Sequence, residues 1–345
     1  MLRLTKIQLN KKLINNNQIL LNYYSFGYST GLIEDNENDF VKLEINNILQ
    51  LSKKYNLAGI EFPIDRVFHL SRLDQGIEFI DDIIKSGNKV FIDFEKIDHQ
   101  YFIKAIPKLR NIGIKKFRIK MNHLGKVFYG GNRFSSNHFN SSLENFRNDL
   151  IKLLNILKEN DSIALIENHQ DLSSIELRNL IENISVDYLG INWDIGNSFS
   201  VCDTPLSFFN NTKFLIKNVH IKDYKIGKLK DGIALTRCII GEGAVDFLDI
   251  FKKLSEISDQ IETLSIELGA QITRNCHIYN EEYWNYYDNS QHNKKEYIEN
   301  VEHLRENLNL YSDYENGIRG EDLKKIEIND AFKSAANVMS LIKTL

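Results

Sequence analysis

The stretch LIENHQDLSS (residues 165–174) ends an apolar run on three consecutive polar residues, Glu167, Asn168 and His169. Successive side chains of a strand point to opposite faces, so Glu167 and His169 share a face and point together beyond the strand end. An ordinary core strand would end on a turn instead. This strand end predicts a functional site, provided that neighbouring strands end in the same way.

The rest of the chain repeats the same unit, a short apolar run followed by a longer amphipathic segment. Apolar residues at three- and four-residue spacing predict helices between the strands, and SSLE at 141–144 predicts a capping box that opens one helix. The predicted strands are LLNYYSFGY (20–28), LAGIEFPI (57–64), KVFIDFE (89–95), KKFRIKM (115–121), SIALIEN (162–168), YLGINWDIG (188–196), IKNVHIKD (216–223) and TLSIELG (263–269).

Eight strand–helix units in about 290 residues are typical of a (β/α)8 barrel. A doubly wound open sheet is the alternative, but no GxGxxG follows the first strand. We therefore predict an α/β fold, a single TIM barrel over residues 1–310, in which 1–19 is an N-terminal lead-in. Residues 311–345 are predicted to form a C-terminal helical extension that packs outside the barrel or against a partner, and the second option is the basis of a homodimer hypothesis.

Two connections of about twenty residues, after the fourth and the eighth strand, are longer than the barrel requires. Loops of that length are usually functional or disordered. Their aromatic and basic residues favour lids. Arg133, Arg274 and His277 within them are predicted to be solvated loop charges.

Composition excludes several classes of protein. The chain is 42% hydrophobic and 26% charged with a net charge of −4, which suits a soluble globular protein without a nucleic-acid surface. Its three cysteines are far apart, which argues against a disulfide framework and for a reducing compartment. No window reaches the ~18 apolar residues of a membrane span, and the N-terminus does not resemble a signal peptide. We expect a cytoplasmic protein without membrane or nucleic-acid partners.

Four neighbouring predicted strands end on potential metal ligands. In order these are Glu167, Asp194 in NWDIGN, His220 in NVHIKDY and Glu267 in LSIELG. Three carboxylates and an imidazole would repel one another without a counter-charge, so a divalent cation is predicted. Oxygen-rich ligands favour Mn²⁺, with Mg²⁺, Co²⁺, Fe²⁺ or Zn²⁺ as alternatives. The other interpretations are that Asp194 only caps the following turn and that His220 is a core histidine.

Five motifs in order resemble the xylose isomerase-like barrel superfamily, and within it the sugar phosphate isomerase/epimerase branch. They are LIENH (165–169), NWDIGN (192–197), VHIKD (219–223), GEGAVD (241–246) and SIE (265–267). The resemblance implies that Glu167, Asp194, His220 and Glu267 bind one divalent ion. It also implies that the two glutamates are the acid–base pair on either side of a bound sugar, and that Arg237 and Glu242 contact substrate. Asn197 stands where many epimerases of the superfamily have a histidine.

Five further side chains are predicted to contact substrate because they lie at strand ends. They are His169, Asn197, Lys222, Glu61 and Arg118. For His169 and Lys222, support of the metal ligands is an equal alternative. For Glu61 and Arg118, a structural salt bridge is equally consistent with the sequence.

The resemblance implies a metal-dependent isomerase or epimerase of carbohydrate metabolism, acting on a sugar or sugar phosphate, a small polyhydroxylated carbonyl compound. One glutamate would remove the proton α to the carbonyl, the ion would stabilise the enediolate, and the proton would be returned. The alternatives are a dehydratase or other lyase of the inosose or dehydroshikimate dehydratase type, and a non-catalytic barrel homologue. A nuclease would need more strand-end histidines than this chain has.

Overall fold

The computed structural model describes residues 18–32, 41–121, 129–133, 138–287 and 294–344. In chain order its strands are β1 (Ile19–Asn22), β2 (Gly59–Pro63), β3 (Lys89–Asp93), β4 (Lys116–Ile119), β5 (Ile163–Glu167), β6 (Leu189–Asp194), β7 (Ile216–Ile221), β8 (Tyr224–Leu229), β9 (Gly232–Arg237), β10 (Leu264–Ile266) and β11 (Arg274–Cys276). Strands β1 to β7 and β10 form a closed parallel barrel, in which β10 pairs with both β7 and β1. The predicted TIM barrel is confirmed.

Helices cover the outside of the barrel. In chain order they are α1 (Ile45–Lys54), α2 (Ile64–Val67), α3 (Leu73–Lys85), α4 (His99–Asn111), α5 (Phe139–Glu159), α6 (Ser174–Ile184), α7 (Pro205–Thr212), α8 (Phe247–Ser255), α9 (Glu281–Trp284), α10 (Lys294–Leu304) and α11 (Gly320–Lys343). None of the helices within the described ranges combines the length and the apolar character needed to cross a bilayer. Residues 1–17 lie outside the described residues, so the structure does not test the prediction that the N-terminus does not resemble a signal peptide.

The predicted capping box at 141–144 is wrong. Helix α5 begins three residues earlier than a cap at Ser141 would place it, after an N-cap at His138. The hydroxyl of Ser141 donates to the carbonyl of His138 at 2.9 Å, so this serine satisfies a first-turn carbonyl instead of capping backbone N–H groups.

The alternation of side chains along the strands builds two cores. Leu20, Phe91 and Leu165 form a small fully buried cluster inside the barrel, whereas adjacent residues such as Ile19 and Ile92 belong to the larger core under the helices. Two residues further along the inner face come Asn22, Asp93 and Glu167 in the same strands. The lining of the barrel therefore changes from apolar to polar at the carboxyl ends of its strands.

The first strand is shorter than predicted, because Asn22 ends it. The Asn22 Oδ1 accepts a hydrogen bond of 2.8 Å from the Tyr24 N–H and caps a 3₁₀ turn over Tyr23–Phe26.

The sequence prediction also missed a three-stranded antiparallel sheet of β8, β9 and β11, which follows β7 at the mouth of the barrel. The Asp-Gly pair at 231–232 between alternating apolar residues is the sequence signal for the β8–β9 hairpin.

The predicted C-terminal helix is confirmed as α11, and it packs against the barrel of its own chain. Its fully buried Glu327 accepts hydrogen bonds from the Tyr28 N–H at 3.1 Å, the Ser29 N–H at 2.9 Å and the Ser29 hydroxyl at 2.5 Å. These bonds tie the helix to the segment that follows β1. The homodimer hypothesis stays a prediction.

Candidate active site and metal centre

The four predicted ligands converge at the carboxyl end of the barrel. Glu167 ends β5, Asp194 ends β6, His220 is the fifth residue of β7, and Glu267 follows β10. Each offers a ligand atom within 4.8 Å of the others, and all four side chains are buried. Asp194 and His220 are direct partners in the β6–β7 register, which fixes their relative height. We call these four residues the ligand quartet.

The ligand quartet fits a divalent cation on two grounds. First, His220 Nδ1 lies 2.7 Å from Glu267 Oε2 and 3.7 Å from Glu167 Oε1, yet within the described residues it forms no hydrogen bond of acceptable geometry. A shared cation could bind this buried nitrogen together with the carboxylate oxygens around it. Second, carboxylate oxygens with one imidazole nitrogen are suitable ligands for ions such as Mn²⁺ and Zn²⁺. Glu167, Asp194, His220 and Glu267 would hold the ion.

Two permanent cations of the chain lie among these carboxylates. Lys222 forms ion pairs with Asp194 and, at 2.5 Å, with Glu267 Oε1, and Arg118 donates to Glu167. Burial raises the pKa of Glu267, but the neighbouring charges, the Lys222 ammonium group foremost, outweigh it and bring that pKa to about 2. For Asp194, burial prevails over the lowering by Lys222 and raises the pKa to about 7.

Burial likewise raises the pKa of Glu167, but Arg118 and His169 outweigh it and hold this pKa well below its usual range. Both glutamates of the proposed acid–base pair are therefore ionised at neutral pH, and each is neutralised by a side chain that can also donate hydrogen bonds.

Residues of β1, β2 and β4 hold three members of the quartet from the other side of the barrel. Asn22 Nδ2 donates to Glu267 Oε2 at 3.2 Å. Glu61 Oε1 lies 2.6 Å from His220 Nε2. Together with the Arg118–Glu167 ion pair, these contacts place Glu61 and Arg118 against predicted ligands, and their contact with substrate stays a prediction.

Two residues of this arrangement were not predicted from the sequence. One is Asn22, and the other is Asp93, which ends β3 fully buried with its Oδ1 4.0 Å from Arg118 Nε. The signal for Asp93 was available, since VFIDF ends a strand on an inward-facing carboxylate as LIENH does. Asn22 carries no such signal, because asparagine is also a common turn former.

Asp194 caps the turn after β6 and also lies among the four predicted ligands. Its Oδ1 accepts a hydrogen bond of 3.1 Å from the Asn197 N–H and caps the turn after β6, while the residue also belongs to the quartet. Asn168 holds its backbone through two hydrogen bonds, 2.7 Å to the Asp194 N–H and 2.8 Å to the Asp194 carbonyl. The ligand is thus rigidly placed.

Asn197, at the position where many epimerases of the superfamily have histidine, faces the quartet. Its Nδ2 donates to Glu167 Oε1 at 3.4 Å. Its Oδ1 accepts from Gln170 Nε2 at 3.0 Å and from the Tyr224 hydroxyl at 3.2 Å. The side chain therefore connects a proposed catalytic glutamate to polar groups at the mouth of the barrel.

The described part of the connection after β4 lies on the mouth of the barrel. The ring of Tyr129 lies 5.6 Å from that of His169, and the Arg274 guanidinium lies 4.1 Å above the Tyr129 ring. Gly131 has φ +68°, and a Cβ there would lie 2.0 Å from the Ser200 carbonyl oxygen, so only glycine permits this approach. Residues 122–128, 134–137 and 288–293 of the two predicted lids lie outside the described residues.

The prediction that Arg133 is solvated is wrong, because the side chain is fully buried. Its guanidinium lies 4.2 Å from the Phe139 ring and 4.0 Å from the Tyr287 ring. It donates to the Asp171 carbonyl and, at 2.6 Å, to Glu176 Oε1. Arg133 thus joins both long connections to the start of α6. Arg274 and His277 are partly exposed.

The segment GEGAVD is anchored by Asp223 rather than placed in the quartet. The Asp223 carboxylate accepts hydrogen bonds from the N–H groups of Gly241, Gly243 and Val245 at 3.0, 2.9 and 3.2 Å. Glu242 on this loop is exposed. Arg237 donates to Asp330 of α11 at 3.1 Å. The proposed substrate contacts of Glu242 and Arg237 stay predictions.

Comparison with known proteins agrees with this geometry. The family model described as "Xylose isomerase-like TIM barrel" matches residues 49–307. The chain belongs to this family. The predicted family resemblance is thereby confirmed, and the ligand quartet lies within the matched range.

One curated protein and two solved structures resemble this chain at low sequence identity. The Escherichia coli (strain K12) protein YihM, named as uncharacterized, is 28% identical over 217 residues, which are 62% of this chain and 63% of that protein. The alignment thus spans less than two thirds of YihM.

Two solved structures share the barrel at 15% identity. One is L-ribulose 3-epimerase, with a TM-score of 0.54 and coverage of 95% of each chain. The other is 3-keto-D-glucoside 4-epimerase YcjR from E. coli, with a TM-score of 0.53 and coverage of 85% of this chain and 99% of that one. At this identity they establish the fold alone.

Proposed function

We propose that this chain is a divalent-metal-dependent isomerase or epimerase of a small sugar or sugar phosphate. The observation that carries the proposal is the pair of buried glutamates, Glu167 and Glu267, which both face His220 Nδ1 within one ligand quartet. Two ionised carboxylates beside a cation site can remove and return a proton at a carbon next to a carbonyl. The family membership and its epimerase neighbours support the same class of reaction.

The chain's own residues divide the work as follows. One glutamate accepts the proton α to the carbonyl, and in an isomerisation the same glutamate delivers that proton to the adjacent carbon. In an epimerisation the second glutamate first takes a proton from solvent and delivers it to the opposite face of the same carbon, while the first releases its proton to solvent. Lys222, beside Glu267, and Asn197, beside Glu167, are placed to donate hydrogen bonds to substrate oxygens. When bound, a divalent ion would supply Lewis-acid stabilisation of the negative charge that develops on those oxygens. Mn²⁺ is the first candidate.

The test is proton exchange on a panel of substrates. Protein supplied with Mn²⁺ is incubated in D₂O with free and phosphorylated ketopentoses and ketohexoses, and products are followed by ¹H NMR. We expect loss of the signal of the proton next to the carbonyl and appearance of an epimer or isomer with at least one panel member. The phosphorylated and free members separate sugar phosphate from sugar.

Matched variants make the test specific. Glu167→Gln should abolish the exchange, whereas Glu327→Gln, an equally buried glutamate on α11, should retain it. Exchange by wild type and Glu167→Gln at equal rates would contradict the proposal, as would no exchange with any panel member. A product that has lost water would replace the isomerase by the lyase alternative.

A further inference from the structure

The His220 ring connects the ligand quartet to a residue of the opposite half of the barrel. Its Nδ1 faces Glu267 and Glu167, and its Nε2 lies 2.6 Å from Glu61 Oε1. The side chains of His220 and Glu61 are both fully buried. The contact joins β2 to β7 across the barrel.

A neutral imidazole carries one proton, and only the other nitrogen has a lone pair for a metal ion. A carboxylate beside one ring nitrogen favours the proton on that nitrogen and fixes the orientation of the ring. Both ring nitrogens face carboxylates, but only Nε2 has hydrogen-bond geometry, to Glu61, so the lone pair is assigned to Nδ1, the nitrogen that faces the quartet. We infer that Glu61 is a positioning residue that holds the His220 ring with its proton on Nε2 and thereby sets the metal affinity of the quartet.

The surroundings of Glu61 favour this role over a purely structural one. Its Oε1 is hydrogen-bonded to His220, and its Oε2 has no hydrogen bond of acceptable geometry within the described residues. Its carboxylate also lies beside that of the buried Asp93, whose pKa burial and the Glu61 charge raise. Arg118, the nearby permanent cation, donates to Glu167 rather than to Glu61. A carboxylate buried with so few partners costs stability, and its placement is explained if the contact with the ring serves metal binding.

The inference rests on the proposed function for the role of His220 as a ligand, and its test uses two readouts. The first is Mn²⁺ affinity, measured by EPR titration of free Mn²⁺. Glu61→Leu should bind Mn²⁺ about 10- to 100-fold more weakly than wild type. Glu61→Gln should lose less, because its amide oxygen can still accept the Nε2 proton. Glu327→Gln is the matched control and should stay within about twofold of wild type.

The second readout is the His220 Nε2–H resonance in ¹⁵N-histidine-labelled protein without metal. We expect a signal protected from solvent exchange in wild type and in Glu327→Gln, and its loss in Glu61→Leu. Should Glu61→Leu fail to fold by circular dichroism, Glu61→Gln gives the same two readouts with a smaller change.

The outcomes separate the two claims. Wild-type protein that binds no Mn²⁺ would refute the proposed function. The Nε2–H signal alone would then decide whether Glu61 positions the His220 ring. Unchanged Mn²⁺ affinity in both Glu61 variants would overturn the inference. The absence of a protected Nε2–H in wild type, or its persistence in Glu61→Leu, would overturn it as well.

Discussion

The two halves of the barrel mouth differ in what they contribute. Strands β5, β6, β7 and β10 end on the quartet, which offers a cation three carboxylates and one imidazole. Strands β1, β2 and β4 carry side chains that contact the quartet: Asn22 contacts Glu267, Glu61 contacts His220 and Arg118 contacts Glu167. The last four barrel strands therefore carry the predicted ligands, and three of the first four carry the side chains that contact them.

This division implies different consequences for mutations in each half. Removing a quartet residue should remove chemistry, because that residue would bind the ion or move the proton. Removing a side chain that contacts the quartet, namely Asn22, Glu61 or Arg118, should only weaken metal binding or lower stability, because the reacting groups themselves remain present. The following variants test the division, from the largest expected effect to the smallest.

Glu267→Gln should abolish turnover in a folded protein. The amide cannot accept a proton, and general acid–base groups contribute about 10²- to 10⁴-fold to rate. The measurement is the initial rate of proton exchange with the best panel substrate, with circular dichroism as the folding control. Activity like that of wild type would remove Glu267 from the acid–base pair.

Arg118→Met should lower the free energy of unfolding by about 3–5 kcal/mol, because it leaves Glu167 and Asp93 buried without their counter-charge. Urea denaturation measures the change. Added Mn²⁺ should recover part of the loss, since a bound cation replaces the missing positive charge. Arg110→Met is the matched control: Arg110 pairs with Asp161 at the surface, and it should change stability far less. Equal losses in the two variants would contradict the special role of Arg118.

Lys222→Met should bind Mn²⁺ more tightly. The ammonium group lies against Asp194 and Glu267, so an ion that enters the quartet must displace it. We expect about tenfold tighter binding, equivalent to one pKa unit of charge coupling, together with loss of turnover if Lys222 contacts substrate. Lys116→Met, which removes a lysine paired with Glu262 at the other end of the barrel, is the control. Weaker Mn²⁺ binding in Lys222→Met would assign Lys222 to supporting the bound ion.

Asn22→Ser should have the smallest effect. Serine can still cap the turn after β1, but its shorter side chain loses the hydrogen bond to Glu267. We expect a fall in kcat of about tenfold or less, with unchanged thermal stability. A loss as large as that of Glu267→Gln would show that Asn22 acts in the reaction itself and would break the division between the two halves.

Features that depend on local pattern were predictable from the sequence. Short apolar runs located all eight barrel strands, and the ends of the last four located the residues of the quartet, because each of those signals lies within one short segment. The same rule applied to VFIDF would have located Asp93. The Asp-Gly pair at 231–232 would have located the β8–β9 hairpin.

Features that depend on distant partners were not predictable. Glu61 and His220 are separated by 159 positions, and nothing in either segment indicates that they meet. Arg133 was predicted to be solvated because its own segment is polar, whereas its burial depends on Phe139 and on Tyr287 from the other long connection. The sequence thus indicates which groups reach the mouth, and tertiary packing decides which of them pair.

The central claim is that the quartet binds one divalent ion. The most direct measurement is the metal content of wild type, Glu167→Gln and Glu327→Gln, supplied with Mn²⁺, dialysed in parallel and analysed by elemental mass spectrometry. We predict about one equivalent of a divalent metal in wild type and in Glu327→Gln, and its loss in Glu167→Gln. Wild-type protein that retains no metal after this treatment, or equal metal in Glu167→Gln, would contradict the account.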